Sequence, residues 1–242
     1  MPLNPSAEPW KKTLLAMAMV QFTMSASLMV QGPILPLFLP EIGVQPGGPV
    51  EFWSGVLSSV NFLVAAFVSP IWGSLSDRYG RKMMVLRSSI AICIFMGIMG
   101  FAHSLSELIA LRALMGAFSG FSAAAIALVA TQVPDNKLGY ALGWLATSQL
   151  VGTLTGPVVG GAIADISGSY RVVFFCTSLI AAVAVIIAWL ADPNDKMTDT
   201  GKPRRSFVKN LGMLIRTGGL LPLFGVLLIA QIGVRSDPER TG

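Results

Sequence analysis

Charge is scarce in this chain. Only 12% of its 242 residues are Asp, Glu, Lys or Arg, about half of the roughly one quarter usual in soluble domains. With 53% hydrophobic residues and a mean hydropathy of +0.69, a soluble two-layer enzyme is disfavoured and an integral membrane protein is indicated. Histidine is nearly missing: His103 stands alone, which leaves almost no material for His-based metal sites or Ser-His-Asp machinery. No clustered catalytic residues stand out, so no enzyme, catalytic residue, metal site or cofactor is expected. Nucleic acid is not expected as a partner. Two cysteines, Cys93 and Cys176, lie deep in apolar runs, where they read as small packing residues rather than a disulfide or metal pair.

Long apolar runs are abundant. A span needs about 20 predominantly apolar residues, and six runs qualify, at 13–39, 52–75, 83–101, 108–131, 140–163 and 172–191. A seventh at 219–234 has sixteen residues and stops before Arg235, so it reads as a span cut short, with an unrelated tail behind it. The first run is too long for a signal peptide, and no small-residue cleavage site follows it. The expected organisation is a cytoplasmic N-terminus at 1–12, a six-span bundle at 13–191, a cytoplasmic loop at 192–218 and the shortened seventh span with its tail at 219–242.

Basic residues set the orientation. Thirteen Lys and Arg, including Lys11, Lys12, Arg78, Arg81, Lys82, Arg87, Lys137 and six between Lys196 and Arg216, fall on one side of the runs. The other side holds Arg171, plus Arg235 and Arg240 if the last run crosses. Positive charge stays cytoplasmic, which places the N-terminus and the 192–210 loop inside. Beyond that loop, Phe207, Leu211, Leu214 and Ile215 share helical spacing with Lys209, Asn210 and Arg216 on other faces. That pattern reads as a surface helix on the inner leaflet; a plain solvated linker is the alternative.

Two stretches repeat each other 88 residues apart: Gly73-Ser-Leu75-Ser-Asp77-Arg-Tyr-Gly80 and Gly161-Ala-Ile163-Ala-Asp165-Ile-Ser-Gly168. Each closes the middle span of a three-span unit, one facing the cytoplasm and the other the outside. A three-plus-three inverted repeat is a recurrent transporter architecture, because related bundles can rock about a midplane site.

The first copy continues into Gly80-Arg81-Lys82. Gly80 permits a tight turn between antiparallel helices, Arg81 and Lys82 supply positive charge near the negative end of the second helix, and Asp77 is placed to cap a neighbouring helix or to pair with these bases. The string from Gly73 through Leu75, Asp77, Arg78 and Gly80 to Arg81 and Lys82 resembles the signature between the second and third spans of the major facilitator superfamily. The resemblance implies a conformational latch made and broken as the bundle rocks, with Asp77 meeting a helix of a second six-span half. Members also carry an acid at the inner end of the fourth span; here Thr131 holds that place, with Asp135 four residues on.

In the fifth run, Gly152, Gly156 and Gly160 recur every fourth residue. They form a flat stripe for close helix approach, and Pro157 removes a backbone donor. With Gly161 added, the string resembles the motif of drug-proton antiporters, which implies export and a seal against leakage. The stripe's partner helix is expected in the second half. Local strings Ala130-Thr-Gln-Val-Pro134 and Arg171-Val-Val-Phe-Phe175 extend the likeness to the multidrug-resistance protein G branch of bacterial antiporters, over nearly the whole chain to about Val234.

Arg112 is the one charge deep in a span, since Arg87 can snorkel from the third span's end. It lies five residues beyond Glu107, about 7.5 Å deep at the rise of an α-helix. Leu108, Arg112 and Gly116 resemble the family's fourth-span motif, with Met115 where a glutamine is common. Arg112 reads as an anion site or as a group tuning a proton carrier; snorkelling outward is the bland alternative. No carboxylate falls inside a span, because Glu41, Glu51, Glu107 and Asp165 sit at ends or loops. Gln21, Thr23, Gln31, Asn61 and Gln149 could line a pathway, or serve only as interhelical hydrogen bonds.

The resulting expectation is an all-α membrane protein of the bacterial inner membrane: the N-terminal six-helix bundle of a major-facilitator transporter, performing multidrug efflux by proton antiport. Its partners would be the lipid bilayer, small amphiphilic drugs, protons, and a missing C-terminal half or a second copy of the chain. A half-size transporter acting as a homodimer and a non-transporting membrane scaffold are the alternatives.

Overall fold

A computed structural model describes residues 9–44 and 48–191, apart from the side chains at 9, 48, 77 and 78. The surface helix and seventh run expected within 192–242 lie outside the described residues, as do the side chains of Asp77 and Arg78. The described chain is helical, in the order α1 (Pro9–Phe38), α2 (Gly48–Tyr79), α3 (Arg81–Met99), α4 (Leu105–Ala117), α5 (Phe121–Gln132), α6 (Leu138–Ser167) and α7 (Tyr170–Leu190). Six stretches are long and apolar enough to cross a membrane, α4 and α5 together forming the fourth. Among the described residues, the number of spans is the six expected from the sequence within 13–191.

Glycine ends the long helices where the sequence places it. Gly43 closes the 3₁₀ turn after α1 with φ +90°, Gly80 ends α2 with φ +89° and Gly168 ends α6 with φ +64°. All three have positive φ, open to glycine at little cost. Gly80 and Gly168 are the last residues of the two repeated strings, and both end their helix at positive φ, Gly80 with an extended ψ of 152° and Gly168 in the left-handed helical conformation with ψ 15°. They mark opposite faces of the bundle, called here the Gly80 face and the Gly168 face.

The helices run past the apolar stretches on which they were expected. Hydropathy registers the lipid-facing part, whereas Pro49, the second residue of α2, and Glu51 in its first turn start the helix earlier by ordinary helix-end preferences. Ser104 starts α4 by accepting the Glu107 N–H at 3.3 Å, and the Glu107 carboxylate accepts the His103 N–H at 2.8 Å.

The fourth span is not the continuous helix expected over 108–131. It breaks at Phe118-Ser119-Gly120, where Gly120 has φ +116°. A break at membrane depth frees backbone carbonyls that need partners, and neighbouring helices supply them. The Trp72 indole donates to Ala117 O at 2.6 Å, and the Arg87 guanidinium donates to Phe118 O and Ser119 O at 3.4 and 3.2 Å.

The core runs between α1, α3, α5 and α7 and is rich in methionine: Met17, Met24, Met96 and Met99 are fully buried beside Leu128 and Ala181. Thioether side chains fill irregular gaps between helices. Helix α1 is the most buried span and α2 the least. Helix α1 packs chiefly on α6, α4 on α2, and α3 on α7. Each three-span unit thus clasps the middle span of the other, as an inverted repeat requires.

Candidate functional site

The glycine stripe of α6 lies directly on α1. A Cβ at Gly152 would stand 2.3 Å from Phe22 O, one at Gly156 2.5 Å from Ala26 O, and one at Gly160 2.8 Å from a Val30 methyl. Backbone meets backbone along two helical turns, with no room for any side chain. The stripe's partner is therefore the first span of the same bundle, not a helix of a second half. Small residues announce a close approach without saying to what. Gly161 turns away and has open space at its Cβ position, while Pro157 is exposed. A second approach joins α4 to α2, where a Cβ on Gly116 would stand 2.4 Å from Asn61 O.

On the Gly80 face, the basic residues bind carbonyls of helices other than α2. Arg81 donates to Ala127 O in the middle of α5, and Lys82 donates to Ala191 O at the end of α7. The second carbonyl belongs to the negative end of its helix. Arg81 thus ties α3 to the fourth span through backbone, at the level where the family carries an acid and this chain has Thr131. Thr131 itself bonds back to Leu128 O at 2.8 Å. Gly73 has open space at its Cβ position.

Among the polar groups, Gln21 is fully buried and donates to Ser122 Oγ at 2.7 Å and to Gln149 Oε1 at 3.0 Å. One amide so joins α1, α5 and α6, while Gln149 is exposed on its outer side. Gln31 is also buried, and neither end of its amide has a partner among the described residues. Thr23 bonds only to its own helix, through Met19 O at 2.8 Å. Asn61 donates to Arg112 O at 3.2 Å, bridging α2 and α4.

Arg112 is 7% exposed and its Nε has no partner. It does not snorkel outward, which removes the bland alternative. Arg87 does not snorkel either: its guanidinium lies 3.2 Å from the centre of the Trp72 ring and reaches the break in the fourth span. Sequence reasoning missed Ser122, Trp72 and this role of Arg87. A serine two residues after a glycine inside an apolar span was the available signal for Ser122. Cys93 and Cys176 are free thiols, and Cys93 lies 3.3 Å from Ser178 O.

The sequence profile described as Major Facilitator Superfamily matches residues 17–235. The chain belongs to this superfamily. It is 42% identical over 185 residues to the multidrug resistance protein MdtG of Yersinia enterocolitica, covering 76% of this chain and 44% of that one. Against MdtG of Citrobacter koseri it is 38% identical over 237 residues, covering 97% of this chain and 58% of the relative. The crystal structure of the human organic anion transporter MFSD10 (TETRAN) superposes with a TM-score of 0.63 at 15% identity, over 77% of this chain and 47% of that chain. That likeness shows the fold. The chain spans about half the length of the curated relatives it matches.

Proposed function

We propose that this chain forms one half of the pathway of a multidrug efflux transporter in the bacterial inner membrane, working by proton antiport with its N-terminus in the cytoplasm. The observation that carries the reading is the glycine stripe of α6 seated on the α1 backbone beside Pro157. Two helices in backbone contact leave no channel between them for protons or ions. A seal of this kind suits an exporter that must hold a gradient while its central site turns over. Supporting it are the similarity to proteins named MdtG and the thirteen-to-three distribution of basic residues.

Alternating access needs two bundles moving against one another. The outer faces of α2 and α6 are apolar and exposed, at Phe62, Phe67, Leu154 and Val158 among others, and a second bundle would cover them. Arg112, together with Gln21, Gln31, Asn61 and Gln149, would line this half of the pathway; Asp77, Arg78 and Arg81 would work the latch. With the described carboxylates of this half, Glu41, Glu51, Glu107, Asp135 and Asp165, all at the ends of its spans, the proton carrier belongs to the second bundle, and Arg112 favours neutral or anionic amphiphiles over polycations.

A twelve-span version, completed with the second half of a relative, tests this in a strain lacking its own drug pumps. Raised resistance to amphiphilic drugs is expected, and Gly156→Ala, which disturbs the seal, should lower resistance per amount of protein in the membrane, while Gly161→Ala should leave it unchanged. Strong export of dications, independent of carboxylates in the second half, would overturn the substrate class. Labelling of a cysteine at position 200 on intact cells by an impermeant reagent would overturn the orientation.

A further inference from the structure

A cavity of about 700 Å³ lies between α2, α3 and α5, away from the α1–α6 seal. Its α2 wall runs from Phe62 to Ser76, about 21 Å at the rise of an α-helix. The cavity is therefore long and narrow, and its volume is within the range of small-molecule sites. Its chemistry changes along that length. Phe62, Ala65 and Ala66 line the end nearer mid-membrane, while Arg87, Ser119 and Arg81 line the part towards the Gly80 face.

Arg87 is the centre of the polar part. Its Nη2 is used by the carbonyls of Phe118 and Ser119, and the ring of Trp72 covers one face of the guanidinium. Nε and Nη1 are buried and have no partner among the described residues. An arginine within a span is costly unless a counter-charge or water meets it, and no described residue lining the cavity is acidic. The start of α5 adds to the same field. Ser119, Gly120 and Ala123 bring its first turn to the cavity wall, and the first amides of a helix carry partial positive charge.

We propose that this cavity binds a single-chain anionic amphiphile, with a carboxylate, sulfate or phosphate head at Arg87 and a hydrocarbon tail along α2 towards Phe62. The charge selects the head, since a guanidinium whose charge no described acid matches attracts an oxyanion and can give it a charge-assisted hydrogen bond. The length and the alanine lining select an unbranched tail over a bulky ring system. Phe62 also lies on the α2 face that a second bundle would cover, so the site is tested in the 242-residue chain by itself.

Trp72 makes the site observable. In a chain keeping Trp72 alone, with Trp10, Trp53, Trp144 and Trp189 replaced by Phe, a bromine-labelled stearate in nanodiscs of neutral lipid should quench the remaining indole. The matching brominated alcohol should need a concentration about tenfold or more higher, the scale of one charge-assisted hydrogen bond. Arg87→Gln should erase the difference between acid and alcohol. Because Arg87 also holds the fourth-span break, Ala123→Leu provides an independent arm: it narrows the cavity, leaves Arg87 in place, and should weaken quenching by the acid. Equal quenching by acid and alcohol would overturn the proposal, as would insensitivity to both substitutions. A brominated anionic phospholipid that quenches better than the stearate at equal charge would also overturn it, by assigning the cavity to bilayer lipid.

Discussion

Gly156 and Gly161 separate two roles that the sequence alone cannot tell apart. A methyl group at Gly156 would meet a backbone oxygen at 2.5 Å and the Met29 Cβ at 2.9 Å, whereas Gly161 has nothing within 4 Å. Gly156→Ala should therefore lower stability by about 1–3 kcal/mol through overpacking. Gly161→Ala should be neutral, or should gain up to about 1 kcal/mol from helix propensity. Thermal unfolding of the two variants in the same detergent decides; equal effects would mean that α6 does not sit on α1 as described. Arg112 gives the opposite kind of test. Its guanidinium is buried without an ion pair among the described residues, so Arg112→Gln should not destabilise the bundle and should raise its stability by about 1–3 kcal/mol as an unmatched buried charge disappears. A large loss of stability would show that a partner holds Arg112.

At the scale of elements, what could be read in advance depended on the length of the pattern. Six spans were legible because each fills about 20 residues with apolar side chains, and the ends of α2 and α6 were legible because their final glycines close the repeated strings. The break between α4 and α5 was not. Gly116, Ala117, Phe118, Ser119 and Gly120 are collectively apolar, and a hydropathy window cannot distinguish a helix from a kink stabilised by side chains of other helices. Those side chains, Trp72 and Arg87, lie 45 and 31–32 residues away in sequence from the carbonyls they bind. The stripe on α6 was legible as a stripe, but its seat on α1 depends on tertiary packing between spans 1 and 5. Arg81 and Lys82 were legible as fixed charges, yet their attachment to the middle of α5 and the end of α7 required the bundle to be assembled. The account of the break makes its own prediction. Trp72→Phe removes the 2.6 Å bond to Ala117 O, worth about 1 kcal/mol, and should speed hydrogen exchange around 118–122 while leaving the middle of α7 unchanged. No local change would mean that the break holds without Trp72.

For the whole molecule, the bundle is internally complete as a packing unit and open as a machine. The two three-span units clasp each other through α1 on α6 and α4 on α2, which leaves the outer faces of α2 and α6 apolar and bare. A bundle closed in this way should insert and remain folded by itself. It offers only one body to a mechanism that needs two. The stripe found its partner inside the bundle, so the need for a second bundle rests on those bare faces and on the lack of a carboxylate in the middle of any described span. The most direct measurement is substrate-dependent proton flux in proteoliposomes under an imposed pH gradient, comparing the 242-residue chain alone with the chain co-reconstituted with the second six-span half of a relative. The account predicts no flux from the chain alone and drug-dependent flux from the pair. Drug-dependent flux from the chain alone, accompanied by a cross-linked dimer, would contradict it and establish a half-size transporter.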